Sequence, residues 1–278
     1  MIGKLSEILK DAKDNNFAIG AFNTFDLEST EAIIQAAENE KSPVIIQISE
    51  KTIEYAGLEE IYTIIKELSE KSSISVVINL DHGKDEEVVR KCIDLGFASV
   101  MFDGSRLTYE ENVKLTKELA DYAHSKNVEI EAELGSVGAH GEDLETVKAS
   151  YTDPDQALDF VQKTGIDALA IGCGTAHGLP LENEKINFDV IKNVADKVSV
   201  PLVLHGSSNI PDEDIKLAIS AGISKINIDT ELRQSFTDGI KESLKENSNQ
   251  IDPRAYLGEA KQELKEKVQE KIRLFSNE

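Results

Sequence analysis

The feature that most limits this fold is an alternation. Eight short β-rich runs recur along the chain: "FAIGAFN" (17–23), "VIIQIS" (44–49), "SVVINLDH" (75–82), "SVMFDG" (99–104), "EIEAELG" (129–135), "ALAIGCG" (168–174), "LVLHGS" (202–207) and "KINIDT" (225–230). Most are nearly continuously apolar, as parallel strands covered on both faces must be. Helical patterns lie between them. "LESTEAIIQAAENE" carries Ser29 or Thr30 near its start, "EEVVRKCIDLG" stops at Gly96, and "YEENVKLTKELADYAHSKN" carries acids early and bases late, which suits the helix dipole. "DPDQALDFVQKTG" offers Asp153 as N-cap and Pro154 as first helical residue. Eight strands alternating with helices over 278 residues predict a (β/α)8 TIM barrel, a fold of typically ~250 residues. Residues 231–278 predict two or three extra C-terminal helices, joined near "IDPRAYLG". No linker divides 1–278, so a single domain is expected. An open doubly wound sheet is the competing fold. It demands a glycine-rich phosphate turn after the first strand, and "AFNTFDLE" has none.

Charge then narrows the partners. The formal net charge of −22 repels nucleic acid and anionic membrane surfaces. No apolar run reaches the roughly 18–20 residues of a membrane span. The N-terminal stretch lacks a signal-peptide core, and the only cysteines are Cys92 and Cys173. A reducing cytoplasm is therefore expected. Any anionic ligand must be held locally against the field of the whole chain; backbone N–H groups and a metal can do this without basic side chains.

Barrel enzymes carry their chemistry at the C-terminal ends of the strands. Those ends hold Asn23, Ser49, Asp81, His82, Asp103, Glu133, His177, His205, Asn227, Asp229 and Thr230. One strand-end histidine is most simply a hydrogen-bonded structural residue. Here three of five histidines are assigned to one mouth, while His124 falls in a helix and His140 in a loop. Three imidazoles with an open position form a common catalytic zinc site. "GCGTAHG" and "LHGSSN" place glycines beside His177 and His205, and such turns expose N–H groups to phosphate. The bland alternative is that they serve tight turns only. Asp81 either orients a histidine or acts as general acid/base beside the metal. Strand alternation gives Asp81 and His82 opposite directions, but a strand terminus can turn both inward. The long loop after Glu133 reads as a lid delivering Glu142 or Asp143, or else as a solvated loop.

The motifs "AFNTFDLE", "NLDHG", "MFDGS", "EAELG", "IGCGTAHG", "LVLHGSSNIPDEDI", "KINIDTELR" and "DPRAYLG" occur in order over nearly the whole chain. Together they resemble the class II, metal-dependent ketose-bisphosphate aldolases, which act on fructose and tagatose bisphosphates. The resemblance implies a TIM barrel, one catalytic Zn²⁺, a monovalent cation (Na⁺ or K⁺) and a homodimer or homotetramer. It implies that His82, His177 and His205 bind zinc, with Glu133 and Asp103 near an alternative metal position. Asp81 is similar to the acid/base at the C4 hydroxyl, and Glu142 to the mobile-loop acid serving the enediolate carbon. Gly178, Gly206, Ser208, Asp229 and Thr230 resemble the turns that bind dihydroxyacetone phosphate. Asn23, Ser49 and Asn227 resemble contacts to substrate hydroxyls or phosphate. Arg254 resembles a residue reaching the distal phosphate, in some members from a neighbouring subunit. The implied reaction is aldol cleavage of a ketose 1,6-bisphosphate to dihydroxyacetone phosphate and glyceraldehyde 3-phosphate.

The chain departs from the family pattern at Ser207 and Asn209, where glycines are usual, in "GLPLENEKINFD" after His177, and in a lid one residue longer. Asn tolerates left-handed backbone better than most residues. Three alternatives stand beside the main reading. A Schiff-base aldolase needs a desolvated strand-end lysine; Lys84 sits among charges, and Lys225 opens its strand at the wrong end. A metal-binding barrel without catalysis is the second. A zinc aldolase for another phosphorylated keto-sugar is the third.

Overall fold

The computed structural model describes residues 1–137, 151–176, 178 and 185–276. Eight parallel strands close on themselves in sequence order. They are β1 (Ile19–Asn23), β2 (Val44–Ser49), β3 (Val76–Gly83), β4 (Ser99–Phe102), β5 (Glu129–Leu134), β6 (Ala168–Ile171), β7 (Leu202–Leu204) and β8 (Ile223–Ile228). The predicted barrel is correct, and the open sheet is excluded by the β1–β8 pairing. Five of the apolar runs overshoot their strands at the C-terminal end. Those last residues have left the ladder and form the mouth.

The helices among the described residues are α1 (Leu5–Asn15), α2 (Leu27–Glu40), α3 (Glu50–Ala56), α4 (Leu58–Lys71), α5 (Glu86–Leu95), α6 (Tyr109–Ser125), α7 (Pro154–Thr164), α8 (Phe188–Ala195), α9 (Asp212–Ala221), α10 (Thr230–Glu246) and α11 (Pro253–Phe275). Several boundaries follow from capping chemistry. α7 begins as read, with the Asp153 side chain accepting from the N–H groups of Asp155 and Gln156. α2 spans the segment read as helical, with Ser29 and Thr30 in its first turn. Asp26 is its N-cap, and Ser29 is the reciprocal partner of a capping box. The tail forms two helices, α10 and α11. They pack on each other, and α11 also packs on α2.

Two apolar layers result from the period-two alternation of side chains. Outward residues such as Phe22, Ile46, Ile78 and Val100 pack under the helices. Inward residues at the lower end, including Ile19, Ala21, Ile45, Val77, Met101 and Val203, pack against Leu5, Leu9 and Ala12 of α1. α1 therefore stoppers the bottom of the barrel. Higher up, the same inward positions are polar: Gln47, Asn79, Ser99, Glu131 and Lys225 are all fully buried.

Candidate active site

The inward positions at the top of the strands converge on a cavity of about 790 Å³ at the C-terminal mouth. Asn23, Ser49, Asp81, His82, Asp103, Glu133, Gly178, His205, Gly206, Ser208, Asn227, Asp229 and Thr230 all line it. Alternation explains most of these directions, since Asn79 and Asp81, Glu131 and Glu133, and Lys225 and Asn227 are two residues apart on their strands. His82 is the exception. Following Asp81 in a regular strand, it would point outward into the helices. Its φ of 46° instead swings it into the mouth, where the β3–β4 register breaks between Leu80 and Gly83. A non-glycine residue in this region carries a cost of order 1–3 kcal/mol and signals a functional constraint. Gly83 follows because a Cβ there would lie 2.7 Å from the Met101 carbonyl oxygen.

The two histidines that line the cavity form one unit. His82 Nε2 and His205 Nδ1 are 2.8 Å apart. The other nitrogen of each ring meets a carboxylate: His82 Nδ1 lies 3.0 Å from Asp103 Oδ2, and His205 Nε2 lies 2.9 Å from Glu131 Oε1. Burial pulls the His82 imidazole down, but the charges and hydrogen bonds of Asp81, Asp103 and Glu133 outweigh it and push the group up to about 9. Burial and the nearby His82 charge pull His205 down. Asp103 is held well below the carboxylate range; burial opposes this, and the His82 bond and charge override it.

Asp81 is clamped by two amides. Asn23 donates to its Oδ2 at 2.8 Å and Asn227 to its Oδ1 at 3.3 Å. Burial pushes its carboxyl up, but the charges of His82 and His205 and the Asn23 bond leave it below its ordinary value. Behind Asn23 runs a buried chain of donors: Ser99 to Asn79 at 2.6 Å, Asn79 to Gln47 at 3.0 Å, and Gln47 to Asn23 at 3.2 Å. Each link fixes the orientation of the next amide, so the NH₂ of Asn23 faces Asp81.

The donor set suits a divalent cation. Asp81, His82 and His205 offer ligand atoms within 4.8 Å of one another, as do His82, Asp103 and Glu133. Glu133 Oε1 accepts from the Val137 N–H at 3.1 Å, while its Oε2 is buried without a hydrogen-bond partner among the described residues. Burial, reinforced by the Asp103 charge, pushes Glu133 up to about 7. A buried, unsatisfied carboxylate oxygen beside two convergent imidazoles is what an ion would relieve. Each imidazole is backed by a carboxylate on its far nitrogen, the usual support of a metal-bound histidine. Asp103 occupies that supporting place for His82 and also belongs to the second donor group.

Several residues escaped the sequence reading. Glu131 and Lys225 are fully buried and paired at 2.6 Å beneath His205. Lys225 lies inside the barrel on a carboxylate, away from the cavity lining, consistent with setting it aside as a Schiff-base lysine. Gln47, Asn79 and Ser99 were also missed. A polar residue at an inward strand position was their only signal. Basic side chains that the sequence reading did not single out for this site, Lys51, Lys84, Arg106 and Arg233, also line the mouth. They come from loops and helix starts, where no periodicity marks them. Arg254 stands apart: its side chain is 89% exposed, pairs with Asp252, and does not line the cavity. His177, Glu142, His140 and Asp143 lie outside the described residues.

The turn after β7 follows its sequence closely. Gly206 has φ 62°, and a Cβ there would fall 2.6 Å from the Ala176 carbonyl oxygen. Asn209, in place of a glycine, adopts φ 61°. The Ser207 hydroxyl donates to the Leu204 carbonyl at 3.2 Å. Among the described residues, the backbone N–H groups of Gly206, Ser207 and Ser208 have no acceptor.

Comparison with known proteins identifies the family. A family model described as "Fructose-bisphosphate aldolase class-II" matches residues 3–278. A sulfofructosephosphate aldolase of Alkalicoccus urumqiensis is 40% identical over 273 residues, covering 98% of this chain and 95% of that protein. A fructose-bisphosphate aldolase of Staphylococcus epidermidis is 40% identical over 276 residues, covering 98% and 96%. The crystal structure of the YdjI aldolase from Escherichia coli K12 superposes with a TM-score of 0.86 at 38% identity, covering 99% of this chain and 97% of that one. Among the described residues no helix is long and apolar enough to cross a membrane.

Proposed function

We propose, from the premise that this chain belongs to the class II fructose-bisphosphate aldolase family and is an aldolase, that its pocket is a zinc site cleaving a ketose 1,6-bisphosphate of fructose or tagatose type. The products are dihydroxyacetone phosphate and glyceraldehyde 3-phosphate. One observation carries this reading: two ring nitrogens face one point, each from a histidine whose other nitrogen is held by a buried carboxylate. His82 and His205 hold the ion, with His177 as third ligand and Glu133 and Asp103 at an alternative position. When bound, zinc supplies a Lewis acid for the negative charge that develops beside the ketone.

The chain's own residues do the rest. Asp81, ionised and aimed by Asn23 and Asn227, accepts the C4 hydroxyl proton in cleavage and returns it in condensation. Glu142 exchanges the proton on the carbon left behind. The N–H groups at 206–208, which have no acceptor among the described residues, receive the phosphate of the dihydroxyacetone half together with Gly178, Asp229 and Thr230, and a monovalent cation sits near these turns. Ser49, with Lys51, Lys84 and Arg106 at the rim, faces the distal anion. Arg254 reaches a neighbouring subunit's pocket in a homodimer or homotetramer; its exposure away from its own cavity supports that role. The whole of 1–278 acts as one domain in the cytoplasm.

A second reading keeps the chemistry and changes the distal group. The relative named for sulfofructosephosphate matches as well as the one named for fructose bisphosphate, and cations at a pocket rim accept sulfonate as readily as phosphate. Zinc analysis with cleavage assays on fructose, tagatose and sulfofructose phosphates, with and without a chelator, tests both readings. Cleavage that persists in metal-free protein, or borohydride trapping of substrate on a lysine, would overturn the zinc reading.

A further inference from the structure

Beneath the turn at 206–209 lies a buried ion pair that the reaction itself does not use. Glu231, in the first turn of α10, and Lys271, near the end of α11, are both almost fully buried, with Nζ and Oε2 2.9 Å apart. The other carboxylate oxygen of Glu231, Oε1, accepts the backbone N–H of Asn209. The Glu231 N–H in turn approaches the Ser208 hydroxyl at 3.5 Å. Asn209 stands in the left-handed region at φ 61°. Glycine would reach that conformation without steric cost; here a side chain must be held in it.

We propose that Glu231 and Lys271 are positioning residues for the anion-binding turn, a role that rests on the reading of 206–208 as the phosphate site. The Glu231 carboxylate fixes the last N–H of the turn. Gly206, Ser207 and Ser208 line the cavity, and the fixed turn keeps their N–H groups, which have no acceptor among the described residues, available to a ligand. Lys271 has a second effect. A bare carboxylate next to the turn would repel a phosphate dianion, strongly so where water is excluded. The ammonium of Lys271 cancels that charge from behind, out of reach of the ligand. The C-terminal helix, remote from the chemistry in sequence, is thus built into the binding site.

The test uses the full-length zinc-loaded enzyme and inorganic phosphate as a competitive inhibitor. Glu231→Met with Lys271→Met removes both charges together and keeps the side-chain length, a replacement that can be nearly neutral for stability. The expected result is an unchanged zinc content, with KM and the phosphate inhibition constant both raised about tenfold or more and a much smaller fall in kcat. Glu231→Asp keeps the charge but draws the carboxylate back from Asn209; it should raise KM about fivefold without altering zinc. Lys271→Arg should restore values close to the parent. Unchanged KM and phosphate inhibition in the double variant, or in Glu231→Asp should the double variant not fold, overturn the assignment. If phosphate does not compete in the parent enzyme, the turn is not the anion site and that reading falls as well.

Discussion

Glu131→Gln is the substitution whose consequences the structure specifies most fully. The carboxylate joins two buried partners, His205 Nε2 at 2.9 Å and Lys225 Nζ at 2.6 Å. All three side chains are essentially without solvent access. The amide is isosteric but neutral, so the buried Lys225 ammonium loses its counter-charge. Breaking a buried pair from one side costs about 3–5 kcal/mol. For a chain of this size, that lowers Tm by roughly 5–9 °C. Stability alone would not identify a role at the metal, so the informative partner is Glu131→Gln with Lys225→Met. It removes the orphaned ammonium and should regain most of the lost stability. It does not restore the charge behind His205. Loss of such support weakens metal binding by about 10–100-fold, or roughly 1.4–2.7 kcal/mol. Zinc affinity, measured by competition with a chelating dye, and Tm, measured by calorimetry, therefore separate the two effects. A double variant that is stable and binds zinc as tightly as the parent would refute the argument that Glu131 orients His205 for a metal.

Three other predictions follow from single contacts. Asp81→Ala should retain zinc while kcat falls by about 10²–10⁴; loss of zinc with activity would make Asp81 a support for the ion instead. Gly206→Ala must place a methyl 2.6 Å from the Ala176 carbonyl oxygen at φ 62°, so KM should rise and Tm should drop by several degrees, and unchanged kinetics would sink the claim that the turn's geometry matters. Burial pushes the thiols of Cys92 and Cys173 up to about 12, so neither should react with a thiol reagent at pH 8 in the native state, and both should label at once in denaturant, as mass spectrometry can show.

The eight-fold alternation, the convergence of the strand-end polar residues on one mouth and the left-handed Asn209 were legible because each depends on local rules. Residue period fixes which side chains share a face. Glycine, asparagine and capping residues mark where the backbone must turn. The identities of Asn23, Asp81, Glu133, His205 and Asn227 could be read for the same reason: each lies at an inward position near the end of an apolar run. Arg254 illustrates the limit. Its motif was clear, yet nothing local states that its side chain leaves the pocket of its own chain.

Tertiary structure decided what meets what. Glu131 and Lys225 are 94 residues apart, and only barrel closure brings β5 and β8 to face each other below His205. The same holds for Ser99, Asn79, Gln47 and Asn23, one polar position on each of four neighbouring strands, which become a chain of donors only when register aligns them. The φ of His82 was decided by the break in the β3–β4 register, against its strand's own alternation. A sequence states the direction of a side chain relative to its own segment. The partner at the other end of the hydrogen bond is set by closure, shear and packing, which are properties of all eight strands together.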